Sequence, residues 1–260
     1  MENKKQKIGI LMLHGFTACP SQFDELASFF TEKGFEVLVP LIAGHGKTPE
    51  DLRKTSIDDW KNSVKQAYLN LKQNSDKIFI IGNSFGSNLG FWLVREFNNE
   101  QIGMVTMGAP IWLKHHNFIL LRLNTYGFFR RYYKKPKRVY KNVIAFIKSF
   151  FAPKNKDLPF APILSFSERE IIPTRSFRYF LNFIKNDTKP NLYKVKIPIL
   201  IAHSTADTVT QPKSAKFIYE NIGSGNKKIY WFDSNRHVML KDEKRIKLFK
   251  KIHNFIVSLS

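Results

Sequence analysis

One cysteine stands among 260 residues, Cys19, so no intramolecular disulfide can form. Such sparing use suits a reducing compartment, and a cytoplasmic location is the expectation. Long apolar runs are missing as well. None reaches the ~18 residues that a membrane-spanning helix needs, which points to a soluble protein. The opening MENKKQKIGILMLHGF has a basic head and a short apolar run, but His14-Gly15 follows at once and no small-residue cleavage site does. That start reads as a first β-strand and not as an export signal. No segment repeats. Acidic residues are scarce, 21 Asp+Glu against 42 Lys+Arg, for a net charge of +21. From Gln101 to Asn155 there is none at all.

The basic and aromatic residues that are present cluster. Between Ile111 and Pro190 lie 17 Lys+Arg against 4 Asp+Glu, together with 17 of the chain's 37 aromatics. Arg130, Arg131, Lys134, Lys135, Lys137, Arg138 and Lys141 fall within twelve residues. Hydrophobic residues make up 43%, so a folded chain is expected and not a disordered one. The length suits one α/β domain carrying an insertion.

The stretch Lys77–Phe91, KIFIIGNSFGSNLGF, organises the rest. An apolar run, Ile78–Ile81, leads into Gly82-Asn83-Ser84-Phe85-Gly86, and Leu89, Trp92, Leu93 and Phe97 follow at helical spacing. Strand, sharp turn and helix around G-x-S-x-G form a nucleophile elbow, in which Ser84 is held strained with its hydroxyl projecting. A plain Gly/Ser turn between strand and helix would read the same in isolation.

Alternation of strands and helices surrounds it. Strands are expected at Lys7–Leu13, Phe35–Pro40, Ile102–Met107, Ile199–Ala202 and Lys228–Phe232. Helices are expected over Gln22–Lys33 behind a Ser21 cap, through Trp60, Val64, Ala67 and Leu71 behind a Ser56/Asp59 capping box, over Pro212–Asn221 and over Asp242–Ser258. The pattern predicts a mostly parallel, doubly wound sheet covered on both faces. It lapses from 111 to 190, where no convincing strand is found and Phe118–Leu123, Val143–Phe151 and Ser176–Ile184 suggest a helical insertion. The chain therefore divides into a first core part, 1–110, an insertion, 111–190, and a second core part, 191–260.

Ser84, Asp207 and His237 each fall just past the carboxyl end of an expected strand, the rim where open α/β sheets bind ligands. A serine hydroxyl needs a base within hydrogen-bond reach, and the base needs a group that fixes its tautomer. The order Ser, Asp, His supplies nucleophile, acid and base in sequence. His14, His45, His115, His116, His203 and His253 compete with His237, and Asp233 competes with Asp207. The backbone N–H groups of Phe16 and Phe85 are the candidate oxyanion donors. This chemistry calls for no metal and no organic cofactor.

LMLHGFTA (11–18), VPLIAGHGKTPEDL (39–52), the Trp60 helix, IIGNSFGS (80–87), PILIAHSTADTV (198–209) and NRHVMLKDE (235–243) together resemble the α/β-hydrolase superfamily, within it the small bacterial carboxylesterases and monoacylglycerol lipases. The resemblance covers nearly everything outside 111–190. It implies the α/β-hydrolase fold with a helical cap insertion, a serine carboxylester hydrolase acting on monoacylglycerol-like or short-to-medium acyl esters, and Ser84, Asp207 and His237 as its triad. Two positions depart from the family pattern: Ser87, where a further glycine often follows the elbow, and Arg236, frequently glycine before the histidine. The implied partner is a small-molecule acyl ester.

The basic cap run has three readings: peripheral contact with an anionic membrane, a nucleic-acid patch, or a solvated face. No recognised nucleic-acid module accompanies it, so nucleic acid is not expected as a partner. A non-hydrolytic lipid or membrane binder, or an acyltransferase, would use the same fold. Nothing in the sequence specifies an oligomeric state.

Overall fold

The computed structural model describes residues 6–114, 132–134 and 171–259. Six strands make one parallel sheet: β1 (Ile8–Leu13), β2 (Glu36–Leu38), β3 (Lys77–Asn83), β4 (Gly103–Met107), β7 (Ile199–Ser204) and β8 (Lys227–Phe232). Their order across the sheet is β2-β1-β3-β4-β7-β8. Successive side chains of a strand point to opposite faces, so near-continuous apolar strands feed two cores at once.

One face carries Leu11, Leu13, Ile78, Ile80, Met104, Ile199 and Ile201 beneath α3 (Ile57–Gln73), α4 (Phe85–Glu96), α5 (Thr174–Phe183) and α6 (Lys213–Asn221). The other carries Ile10, Met12, Phe79, Ile81, Val105 and Leu200 beneath α1 (Asp24–Thr31) and α7 (Arg245–Val257). Each fully buried aliphatic or aromatic side chain contributes roughly 1.5–3 kcal/mol.

Local signals act as expected at α3. Ser56 Oγ accepts from the Asp59 amide, and the Asp59 carboxylate accepts from the Ser56 amide at 2.8 Å. A second capping box, Thr48 with Asp51, opens α2 (Pro49–Lys54). The structure corrects several expectations. Ser21 caps no α-helix: Pro20 starts a 3-10 turn over Pro20–Phe23, and α1 begins only at Asp24. Helix α1 ends at Thr31, and the chain reverses at Gly34, whose φ of 82° suits glycine. The last helix starts at Arg245, three residues late, because Asp242 is drawn into bonds with Ser234 and the Lys244 amide.

Within 111–190 there are strands after all. β5 (Tyr132–Lys134) pairs antiparallel with β6 (Ile171–Pro173) in a separate two-stranded sheet, a pairing between distant segments that no local pattern announces. The expected helix near Ser176–Ile184 is α5, continued by a π-helical turn over Ile184–Thr188. Phe118–Leu123, Val143–Phe151 and most of the basic run lie outside the described residues. Among the described residues no helix is long and apolar enough to cross a membrane.

Candidate active site

Chain direction reverses its lateral course between β1 and β3, since β2 is added on one side of β1 and β3 on the other. The crevice beyond the carboxyl ends of those strands is where such sheets take ligands. Register places Leu13 opposite Gly82, so the loop His14–Phe16 and the elbow at Ser84 emerge side by side.

The elbow is as tight as its glycines imply. A Cβ on Gly82 would come within 2.5 Å of the Ser87 backbone nitrogen, and one on Gly86 would overlap the Leu13 carbonyl. Ser84 has φ 50° and ψ −121°, a conformation that costs a non-glycine residue of order 1–3 kcal/mol. The Ser84 amide donates to Met107 O at 2.7 Å, which ties the turn to β4. The departure at Ser87 also has a use: its buried hydroxyl donates to Gly82 O at 2.8 Å and braces the turn.

His237, on the loop after β8, reaches Ser84 across the two intervening strands β4 and β7. Its Nε2 lies 2.9 Å from Ser84 Oγ and its Nδ1 lies 2.8 Å from Asp207 Oδ2. A carboxylate only accepts, so Nδ1–H donates to Asp207 and Nε2 is left to accept the Ser84 proton. Gly108 makes the crossing feasible: it sits at φ 59°, and a Cβ there would meet the imidazole at 3.2 Å. The His237 loop is anchored by Ser204 Oγ, which donates to Arg236 O at 2.7 Å, so the position expected to be glycine contributes its backbone.

Asp207 is fully buried. Its Oδ1 accepts from the Val209 and Thr210 amides at 2.7 and 2.9 Å, and its Oδ2 also accepts from the Thr210 hydroxyl at 2.8 Å. Burial alone would raise its pKa, but the His237 hydrogen bond and charge and the two amides outweigh it and bring the value to about 2. The competitor Asp233 is exposed and pairs with Lys244 at 2.6 Å.

The other described histidines have separate places. His253 packs against Phe29, Phe30 and Phe35. His203 Nε2 stands 3.7 Å from Asp207 without reaching Ser84 by any hydrogen bond. His115 and His116 lie outside the described residues. His14 and His45 are buried side by side, with ring centroids 5.4 Å apart. His14 Nε2 accepts from the Ile42 amide at 3.1 Å, while His45 Nδ1 donates to Ala43 O at 3.0 Å.

Burial first, and His45 beyond it, lowers His14 to about 3; burial lowers His45 to about 4 against the pull of the Ala43 and Ile42 carbonyls. The unfolded chain therefore binds more protons than the folded one below the unfolded value near 6.5. Stability is full above that pH and falls as pH drops from about 6.5 toward 4. Urea unfolding is expected to show a loss on the order of 5 kcal/mol between pH 7 and 4.5, about half from each histidine, with two imidazoles still neutral by NMR at pH 5.5. A midpoint flat across that range would contradict it.

Phe85 is the first residue of α4, so its N–H has no acceptor within the helix and stands at the positive end of the helix dipole. Gly15 lies against the elbow, where a Cβ would be 3.2 Å from Ser84 Cβ, and Phe16 follows it. The Phe16 ring stacks on Phe180 of α5 at 4.9 Å and meets Phe85 edge-on at 6.0 Å. A hydroxyl poised on an imidazole whose far nitrogen is held by a carboxylate, at the start of a helix and beside the Gly15–Phe16 loop, has the parts needed to add to a carbonyl carbon.

A family model described as alpha/beta hydrolase fold matches residues 10–143, just over half the chain. The chain belongs to the α/β-hydrolase fold family. A second model, serine aminopeptidase S33, matches residues 169–244 of this α/β-hydrolase. The thermostable monoacylglycerol lipase of Bacillus sp. (strain H-257) is 29% identical over 90% of this chain and 84% of its own length. The carboxylesterase of Bacillus subtilis (strain 168) is 24% identical over 96% and 92%. Among solved structures, a metagenome-derived lipolytic enzyme superposes with a TM-score of 0.79 at 23% identity, covering 97% of this α/β-hydrolase and 94% of that chain.

Sequence reasoning missed Ser204, Gly108 and Thr210 at this site. Thr210 was open to recognition, since an Asp followed at two and three residues by amides it can accept from is a local turn pattern. Ser204 and Gly108 matter only through contacts with the distant 236–237 segment.

Proposed function

We propose that this α/β-hydrolase is a serine carboxylester hydrolase cleaving monoacylglycerol-like or short-to-medium acyl esters through an acyl-enzyme on Ser84. The observation that supports it is the unbroken hydrogen-bonded chain from Ser84 through His237 to buried Asp207. His237 takes the Ser84 proton as the hydroxyl oxygen bonds the ester carbon, then gives it to the departing alcohol oxygen as that C–O bond breaks. It next deprotonates a water that attacks the acyl-enzyme, and returns that proton to Ser84. The amides of Phe16 and Phe85 hold the oxyanion in both steps. Residues 111–190 act as a cap, of which α5 lays the rings of Phe177, Phe180 and Phe183 against the rings of Phe16 and Phe85, an apolar wall suited to an acyl chain.

The names of the Bacillus relatives point to the same ester class. The test is a series of p-nitrophenyl esters from acetate to palmitate together with 1-monoacylglycerols. Turnover that peaks in the short-to-medium range is expected, and absence of turnover on every ester would overturn the proposal. The seven basic residues from Arg130 to Lys141 add peripheral contact with an anionic bilayer, measured as stronger co-sedimentation with anionic than with neutral vesicles.

A further inference from the structure

We propose that Gln22 is a positioning residue for the oxyanion loop: its side-chain carbonyl locks the Gly15 peptide, and through it the direction of the Phe16 N–H. This rests on the serine-hydrolase reading above and adds a residue that lies outside both the triad and the two amides.

Gln22 stands in the 3-10 turn that Pro20 initiates, and its side chain turns back toward the sheet. Its Oε1 accepts from the Gly15 amide at 3.0 Å and from Asn83 Nδ2 at 3.0 Å. One oxygen thus joins the loop after β1 to the residue that precedes Ser84. The assignment of both side-chain amides follows from chemistry: a backbone N–H only donates, so Gln22 must present its oxygen, and Asn83 must then present its NH2 group.

The other end of Gly15 is held too. Its carbonyl accepts from the Ala18 amide at 3.0 Å and faces His14 Nδ1 at 3.1 Å. A trans peptide is planar, so the Phe16 N–H points opposite to the Gly15 C=O. With Gly15 clamped at nitrogen and at oxygen, the Phe16 amide has one direction available. The clamp has a use because position 15 is glycine: a Cβ there would crowd Ser84 Cβ at 3.2 Å, and a glycine left to itself samples many backbone conformations. Steric need at the elbow removes local stiffness, and Gln22 restores it from the neighbouring turn.

Gln22→Met keeps length and bulk and removes the acceptor. Deleting an oxyanion donor outright costs about 10²–10³ in kcat, so a donor left in place but free to swing is expected to cost about tenfold to hundredfold. KM should stay within about twofold, because the neutral ground-state ester carries no oxyanion. A trifluoromethyl ketone, to which Ser84 adds to give a tetrahedral oxyanion while His237 takes the proton, should bind more weakly by the same factor as kcat falls. The unreactive alcohol analogue of that ketone should bind unchanged, and the pH profile should not move.

Asn83→Ala, which leaves the Gly15 bond to Gln22 in place, should lose no more than about threefold. Gln22→Met with wild-type kcat, or with a lowered kcat but unchanged ketone affinity, would overturn the proposal. So would Asn83→Ala losing as much as Gln22→Met, since Gln22 would then be holding the elbow and not the loop. Ser84→Ala run alongside separates the two readings: activity surviving in that variant removes the serine mechanism itself, whatever Gln22 does.

Discussion

Ser84→Ala is expected to lower kcat for ester hydrolysis by about 10⁴-fold or more and to leave the fold standing. Only the hydroxyl oxygen, the proposed nucleophile, is removed. Cβ stays where the positive φ of Ser84 puts it, between Gly82 and Gly86 packed against backbone, so the turn is unchanged. The hydroxyl's hydrogen bond to His237 is partly exposed, and losing it should shift unfolding by no more than about 1 kcal/mol. A stopped-flow trace with a p-nitrophenyl ester should show neither burst nor turnover above background. Activity within about a hundredfold of wild type would mean that another group attacks the ester.

Asp207→Asn carries the second large effect, a fall in kcat of about 10³–10⁴ with KM little changed. The reason lies in which way the new amide must face. Val209 and Thr210 both offer backbone N–H groups to Oδ1, and these accept no substitute but oxygen. The NH2 of asparagine is therefore forced into the Oδ2 place, where it donates to His237 Nδ1. The imidazole proton then moves to Nε2 and confronts Ser84 with a donor where the reaction needs an acceptor. Asp233→Asn, altering the exposed partner of Lys244, should leave kcat unchanged.

Wild-type Asp207, brought down to about 2, keeps its charge at any pH where an assay is practical. Its own contribution to stability is complete above the ordinary Asp value and is lost only as pH falls from about 4 toward 2. An Asp207→Asn enzyme within tenfold of wild type, or a disabled Asp233→Asn enzyme, would transfer the acid's role elsewhere.

Much of this site was readable in one dimension because its parts are local. The elbow is five consecutive residues, and its glycines report contacts with backbone that any reader of the pattern can anticipate. Ser56 and Asp59 announce the start of α3 in the same way. Where a residue's partner lies far along the chain, the pattern misleads. Ser21 looks like a cap, yet the proline before it sets a tighter turn and releases Gln22 to serve Gly15 and Asn83. Asp233, nearer to His237 in sequence, competes with the favoured Asp207 there, but the end of β8 turns it toward Lys244 and solvent. The pairing of β5 with β6 joins an aromatic and basic triplet, Tyr132–Lys134, to Ile171–Pro173 across 36 intervening residues, and neither triplet is long enough to show alternation.

From the amino-acid order alone came the alternation of strands and helices, the elbow, and the three side-chain types needed for proton transfer, because periodicity and turn chemistry are properties of neighbours in the chain. Tertiary structure alone set Asp233 and the other described histidines apart from Ser84, and decided that Gly108 opens the path for the imidazole and that Gln22 holds the loop opposite. Those outcomes depend on strand order and register, which bring residues 15, 84, 108, 207 and 237 to one rim of the sheet. Register is set by the summed packing of two cores, and no short stretch of sequence contains that sum.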